Sequence, residues 1–208
     1  MSSEALLRRP DRPASVGGMT EKPTPQDVDA FLDSTVVGDD PALAAAVESS
    51  NAAGLPPIAV SVQQGKFLCL LASAIQARRI LEIGTLGGCS SIWLARGAGP
   101  EGRVVTLEYE PKHAEVARAN LQRAGVADRV EVVVGAALDT LPRVGGGPFD
   151  HPAGSSRLSH CGRQRHSRWP AATRQTLQVM GEHPRLDTAV IQTVGAKHWD
   201  GFALALVG

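Results

Sequence analysis

The chain has 208 residues, 21 acidic and 21 basic, so its formal charge is zero at neutral pH. That length suits one α/β domain, and the charge balance recommends neither nucleic acid nor an anionic membrane surface as a partner. No apolar run approaches a bilayer span, and three cysteines without C-x-x-C spacing, Cys69, Cys89 and Cys161, suit a reducing cytoplasm better than a disulfide framework.

Residues 1–23 are rich in Ser, Pro, Arg and Gly and lack a continuous apolar core. They read as a disordered leader rather than a secretory signal, with Met1 or Met19 as the start. A single folded domain is expected over 24–208. Thr24-Pro25-Gln26-Asp27 predicts an N-cap, a proline at the first helical position and a first-turn acid, opening a helix through Phe31 and Leu32. Asp40-Pro41 repeats the device for an Ala-rich helix that ends at Gly54, before Leu55-Pro56-Pro57. Ser61-Val62-Gln63-Gln64 is a capping box, and Phe67, Leu68, Leu71 and Ile75 recur at helical spacing behind it. Cys69 in this run reads as a small core hydrophobe rather than a reactive thiol.

Ile80-Leu81-Glu82-Ile83 predicts a strand running into the bend Gly84-Thr85-Leu86-Gly87-Gly88, and Val104-Val105-Thr106-Leu107 a second strand ending in Glu108, 24 residues beyond Gly84. This is the frame of a nucleoside site, with the second-strand carboxylate placed to grip a ribose diol through both its oxygens. The dinucleotide fingerprint G-x-G-x-x-G is absent, since the glycines fall at 84, 87 and 88. Glu82 would repel a phosphate. Together with the hydroxyls of Thr85, Ser90 and Ser91 it suits a zwitterionic, cationic ligand, and so points to S-adenosylmethionine rather than a nicotinamide dinucleotide. Structural alternatives stand beside these readings: Glu82 as a strand-end acid capping nearby amides, and Ser90 as the N-cap of the helix through Ile92, Trp93 and Leu94. Glu110, before Pro111, reads as a cap of the helix that closes at Gly125. Val130 to Val134 predicts a third strand, followed by Gly135-Ala136-Ala137-Leu138, with Asp139 as an ordinary helix-start acid.

The ordered set L-E-I-G-T-x-x-G-x-S at 81–90, V-V-T-L-E at 104–108 and Arg129-Val130-Glu131-Val132-Val133-Val134-Gly135-Ala136-Ala137 resembles the catechol and caffeoyl-CoA type cation-dependent O-methyltransferases. The likeness includes Ser61 to Leu68 and resumes at Gln192-Thr193-Val194-Gly195-Ala196-Lys197-His198-Trp199-Asp200-Gly201-Phe202, covering roughly 24–150 and 173–207. It implies a Rossmann-like class I methyltransferase sheet with helices on both faces and a C-terminal antiparallel hairpin, here Ala189 to Val194 and Phe202 to Val207. It also implies S-adenosylmethionine as cofactor, with Val60, Ser61 and Ser90 at its methionine end and Ala136 at its adenine. With Glu82, Gly84, Thr85 and Glu108, these are the candidate cofactor-binding residues. For the leading helices the resemblance implies a cover over the substrate pocket and a homodimer contact, whereas simple covering of the core explains them equally.

After Phe149-Asp150 the likeness stops. Residues 151–173 contain four Arg, four Ser and three His with no period of two or 3.6, so neither strand nor helix is predicted, and 151–172 is expected to be disordered. Two strands, a crossover helix and their loops need roughly 35 residues, and only 23 are present. The family's fourth and fifth strands are therefore expected to be missing, through an internal deletion or a frameshift after Asp150. The first strand would then be an open apolar edge unless the hairpin docks on it. His151, His160, His166 and Cys161 have no metal-ligand spacing, and Arg157, Arg163, Arg165 and Arg168 make too sparse a set for a nucleic-acid tail.

The resemblance implies methyl transfer from a sulfonium to a phenolic hydroxyl, assisted by a divalent cation such as Mg²⁺ and a lysine base. Its ligands fall in the absent run. Asp150 matches the start of the fourth strand and Lys197 lies in a different motif, so no catalytic or metal-binding residue is assigned. The expectation is an S-adenosylmethionine-dependent O-methyltransferase for a small catechol-like or phenolic acceptor, impaired in this chain. The alternative is a catalytically dead cofactor-binding remnant of that family.

Overall fold

The computed structural model describes residues 24–140, 157–162, 171–182, 186–195 and 198–207. Each leading helix starts where a side chain can take up orphan amides. Thr24 caps α1 (Pro25–Leu32) in a capping box with Asp27, and Asp40 caps α2 (Pro41–Ala52) by accepting the Ala42 and Leu43 N–H groups. Ser61 and Gln64 form a second capping box at the head of α3 (Val62–Ala74). These are the predicted starts, and Gly54, at φ +72°, follows the end of α2 as expected. The Asp40 carboxylate also pairs with Arg96 of α4 (Cys89–Ala98), so the cap of one helix anchors it to another.

Six strands form one sheet in the order β3-β2-β1-β4-β6-β5. They are β1 (Arg79–Ile83), β2 (Arg103–Glu108), β3 (Val130–Val134), β4 (Arg157–Gly162), β5 (Leu186–Gly195) and β6 (His198–Val207). The first four run parallel, and β5 and β6 form an antiparallel hairpin joined to the sheet through β6. α5 (Pro111–Arg123) and the short α6 (Ala137–Thr140) precede and follow β3, and α7 (Ala171–Glu182) precedes β5.

Ile80, Val104 and Val130 are register partners across β1, β2 and β3, and they join Leu68 of α3, Ile92 and Leu94 of α4 and Leu121 of α5 in the main core. Ile83 points to the opposite face of β1, because side chains alternate along a strand. There it packs with Leu177 and Met180 of α7 and Ala203 of β6. Helices therefore cover both faces of a Rossmann-like sheet, with the hairpin at its end.

The segment in which no strand or helix is predicted contributes β4, and α7 begins within it at Ala171. Ser159 is the register partner of Leu81 on one side and of Ala205 on the other. Pairing along both edges satisfies the β4 backbone through its neighbours, so tertiary context overrides a sequence with no strand pattern. A fourth parallel strand is thus present beside β1, which is not an open edge. The hairpin lies against β4, with no further parallel strand between them, and its strands run longer than predicted, meeting across residues 196–197. The leader 1–23, Phe149-Asp150, His151, His166 and Lys197 lie outside the described residues. Among the described residues no helix is long and apolar enough to cross a membrane.

A proline at the centre of β4 tests this arrangement. Ser159→Pro removes a ladder donor from a strand paired on both sides, and is expected to destabilise the protein by about 2–3 kcal/mol. Chemical denaturation reads this directly; an unchanged midpoint would mean that the segment is not part of the sheet.

Candidate functional site

β1 and β2 end side by side, with Glu82 opposite Thr106 and Ile83 opposite Leu107. The Gly84 N–H donates to the Leu107 carbonyl and the Gly135 N–H to the Glu108 carbonyl, both at 2.8 Å, which stitches the turns after β1 and β3 to the end of β2. Ligands of parallel α/β sheets bind in the crevice outside such carboxyl ends. Gly84 is exposed, at φ +95°, a backbone conformation that would strain any residue with a side chain.

Glu108 is nearly buried, at 6% exposure, and its carboxylate is already at work. Oε2 accepts the N–H groups of Thr85 (3.0 Å) and Leu86 (2.7 Å), and Oε1 accepts that of Glu110 (3.0 Å). His113 Nδ1 lies 3.4 Å from Oε1. Leu86 has φ +50°, a conformation that costs a non-glycine residue free energy, and the bond from its amide to Glu108 helps to hold it there. Of about four lone-pair sites on a carboxylate, three are taken by backbone amides. The predicted grip on a diol through both oxygens thus meets an Oε2 that is already filled, and the remaining capacity is on Oε1.

Glu82 is fully buried beneath the same turn. Its Oε2 accepts the Ser91 hydroxyl, while Oε1 has no hydrogen-bond partner. Burial pushes the Glu82 carboxyl above its ordinary range; the hydroxyls of Ser90, Ser91 and Thr106 pull the other way, and the Glu108 carboxylate adds to the rise. An unpartnered buried oxygen of this kind is an acceptor awaiting a donor or a cation.

The other candidates are placed less simply. The Thr85 hydroxyl is engaged with that of Thr106 at 2.6 Å in the interior. Ser90 is buried in the first turn of α4, but the N-cap is Gly88, at φ +83°, without a side-chain cap. The helix begins one residue before Ser90, because only glycine enters that left-handed position without strain. Ala136 opens α6, its carbonyl accepting the Asp139 and Thr140 N–H groups, and follows directly on Gly135. Val60 packs on the main core, and Ser61 caps α3, the helix that packs on α4. Glu110 occupies the N-cap of α5, yet its side chain makes no cap bond.

Sequence reasoning missed Asn120, which is 1% exposed and hydrogen-bonded to the Gly87 carbonyl. The only signal was an amide between Ala117 and Leu121 on the inner stripe of α5.

Two carboxylates, one with an unfilled oxygen, beside a bare glycine turn fit a cationic nucleoside such as S-adenosylmethionine. The same residues do not fit a divalent ion: among the described residues no three His, Cys, Asp or Glu side chains gather to hold one.

The sequence matches the O-methyltransferase family profile over residues 33–151. It is 64% identical to a protein named catechol O-methyltransferase from Mycobacterium tuberculosis, over 91% of this chain and 99% of the relative. That match runs over 218 aligned positions, and 91% of 208 residues is about 189, so about 29 positions of the relative have no counterpart here. Among solved structures, a cofactor-bound protein from MTB superposes with a TM-score of 0.76 at 63% identity, over 90% of this chain and 99% of that one. An O-methyltransferase from Bacillus cereus in complex with SAH gives a TM-score of 0.73 at 36% identity, over 88% and 98%.

Glu82 generates a prediction of sign. A carboxyl whose folded pKa lies above its unfolded value contributes stability that is complete below the unfolded pKa and is lost as pH rises toward the folded one. Glu82→Gln removes that dependence. Without ligand, its melting temperature should match or exceed that of the wild type at neutral pH. The advantage should shrink toward pH 4, with a slope of at most about 1.4 kcal/mol per pH unit. Thermal melts across pH check this, and an advantage that grows on acidification would contradict it.

Proposed function

The chain belongs to the O-methyltransferase family, and from that premise we propose that it binds S-adenosylmethionine in the cradle between β1 and β2 and methylates a small phenolic, catechol-like hydroxyl. The observation that carries this reading is the pair of buried carboxylates around the Gly84 turn, one keeping an unpartnered oxygen. When bound, the cofactor supplies an activated methyl group on a sulfonium. The Glu82 carboxylate, ionised by the ligand's positive charge, balances it, while Glu108 holds the turn closed and offers Oε1 to a ribose hydroxyl. Ser90 and the amides at the start of α4 face the methionine end, with Val60 and Ser61 beyond them, and Ala136 lies by the adenine.

A second reading has its own support, in the shortfall of about 29 positions against the 64% identical relative and in a hairpin that lies directly on β4. On this reading the cofactor half is whole, the half that activates the acceptor is curtailed, and the chain binds S-adenosylmethionine with little or no turnover. Among the described residues no cluster of three His, Cys, Asp or Glu side chains is placed to hold a metal ion. Self-association is the further part of the reading, supported by Val28, Phe31 and Val36 at 43%, 59% and 61% exposure on the leading helical segment.

Isothermal titration with S-adenosylmethionine, followed by methyl transfer to catechol with and without Mg²⁺, tests both readings. Binding with turnover supports the enzyme, binding alone supports the remnant, and no binding overturns both. Glu108→Ala, which loses the turn clamp and the ribose acceptor, should weaken binding by about 2–3 kcal/mol, or 30- to 150-fold. Sedimentation of the purified chain should show a dimer; a monomer at all concentrations would refute the self-association.

A further inference from the structure

Asn120 sits on the inner face of α5 with its carboxamide fully committed. Nδ2 donates to the Gly87 carbonyl at 2.9 Å and to the Ala46 carbonyl at 3.3 Å. Oδ1 accepts from Ser49 Oγ at 2.6 Å and from Arg123 Nη1 at 2.7 Å. The orientation of the amide is fixed by these partners, since carbonyls can only accept and a guanidinium can only donate. One side chain thereby joins three segments: α2 through Ala46 and Ser49, the turn after β1 through Gly87, and α5 itself.

A second contact fastens the same pair. A Cβ built on Gly87 would lie 2.0 Å from Ser50 Oγ, so α2 rests directly on the turn with no room for a side chain between them. The Ser50 hydroxyl in turn donates to the Ala46 carbonyl at 2.6 Å. Gly87 and Gly88 lead into α4, and on the other side of the turn Thr85 and Leu86 are held by Glu108. The turn is therefore gripped at both ends, by a carboxylate at its start and a carboxamide at its end.

We infer that Asn120 is a positioning residue for the nucleoside cradle: its carboxamide holds Gly87 against α2, so that the leading helix and the cofactor turn keep one relative placement. Asn120 acts through Gly87 and not through the ligand, and the inference rests on the reading that this turn binds S-adenosylmethionine. Losing the carboxamide frees the Gly87 end of the turn, and part of the binding free energy then goes into ordering it.

The test compares three variants of the full chain. Asn120→Ala removes the carboxamide. Asn120→Asp keeps its shape but turns an acceptor toward two carbonyls. Leu121→Ala, next on the same helix and 1% exposed, loosens the core without touching the turn. In titrations with S-adenosylmethionine, Asn120→Ala should raise Kd about tenfold, the scale on which one unmade buried hydrogen bond is felt, and Asn120→Asp at least as much. Leu121→Ala should lower Tm at least as far while leaving Kd within about twofold. Hydrogen exchange of the Leu86, Gly87 and Gly88 amides in the free protein reads the same coupling without ligand, and should quicken in the Asn120 variants alone. Wild-type binding with unchanged Kd in both Asn120 variants, or equal losses in Leu121→Ala, would overturn the inference. Absence of wild-type binding would instead strike the functional reading, and the exchange rates would then decide for or against Asn120 by themselves.

Discussion

The two bonds from the Thr85 and Leu86 amides to Glu108 Oε2 are the constraint on which the rest of the site depends. Parallel strands offer no local way to close the turn that follows them, because the chain must leave the sheet and return through a helix. Here the closure comes from the neighbouring strand. A carboxylate at the end of β2 takes up two successive amides of the turn after β1, one of them on a residue with φ +50°. Charge-assisted bonds in a nearly buried setting are strong enough to hold such a conformation. The rest of the turn then falls into place, with Gly88 in the left-handed position that starts α4.

That closure sets the electrostatics beneath it. With Glu108 satisfied by amides, Glu82 lies in a dry interior beside the hydroxyls of Ser90, Ser91 and Thr106, and its Oε1 has no hydrogen-bond partner. Burial of Glu82 and the neighbouring Glu108 carboxylate act in the same direction, both raising the Glu82 carboxyl above its ordinary range. A positive charge placed over the turn would act in the opposite direction, favouring the charged form of the carboxylate below it. A phosphate ligand would gain nothing from either carboxylate.

Much of this could be read from residues alone, and the parts that could not share a physical cause. The two capping boxes, the Asp40 cap and the Gly54 stop are local signals: the side chain and the amides it satisfies lie within three residues of each other. The strands β1, β2 and β3 carry β-branched runs, and the glycine turn and its distant acid fall, as their spacing predicts, at the ends of β1 and β2. By contrast, β4 exists because β1 and β6 pair with it, and Arg-Leu-Ser-His-Cys-Gly has no pattern that announces such partners. The N-cap of α4 is Gly88, two residues before the Ser90 offered as a structural alternative, because a left-handed glycine competes with a serine as a helix start. Asn120 was invisible for the same reason as β4: Ala46, Ser49 and Gly87 are distant in sequence, and only folding brings them to one amide.

The asymmetry between the two halves of the sheet follows from where the interactions are stored. On the β1-β2-β3 side, core packing, the Glu108 clamp and the Asn120 bridge are mutually reinforcing, since each holds the strand ends and helix starts that the others need. On the other side, β4 is bound by main-chain pairing to β1 and β6, with the hairpin directly beside it. Backbone pairing tolerates almost any side chain, so the sheet stays continuous through Arg-Leu-Ser-His-Cys-Gly. A site that activates an acceptor is less forgiving, because it needs particular side chains at particular distances. The interactions that hold the turn after β1 therefore lie on the β1-β2-β3 side, apart from the main-chain pairings that fix β4 and the hairpin.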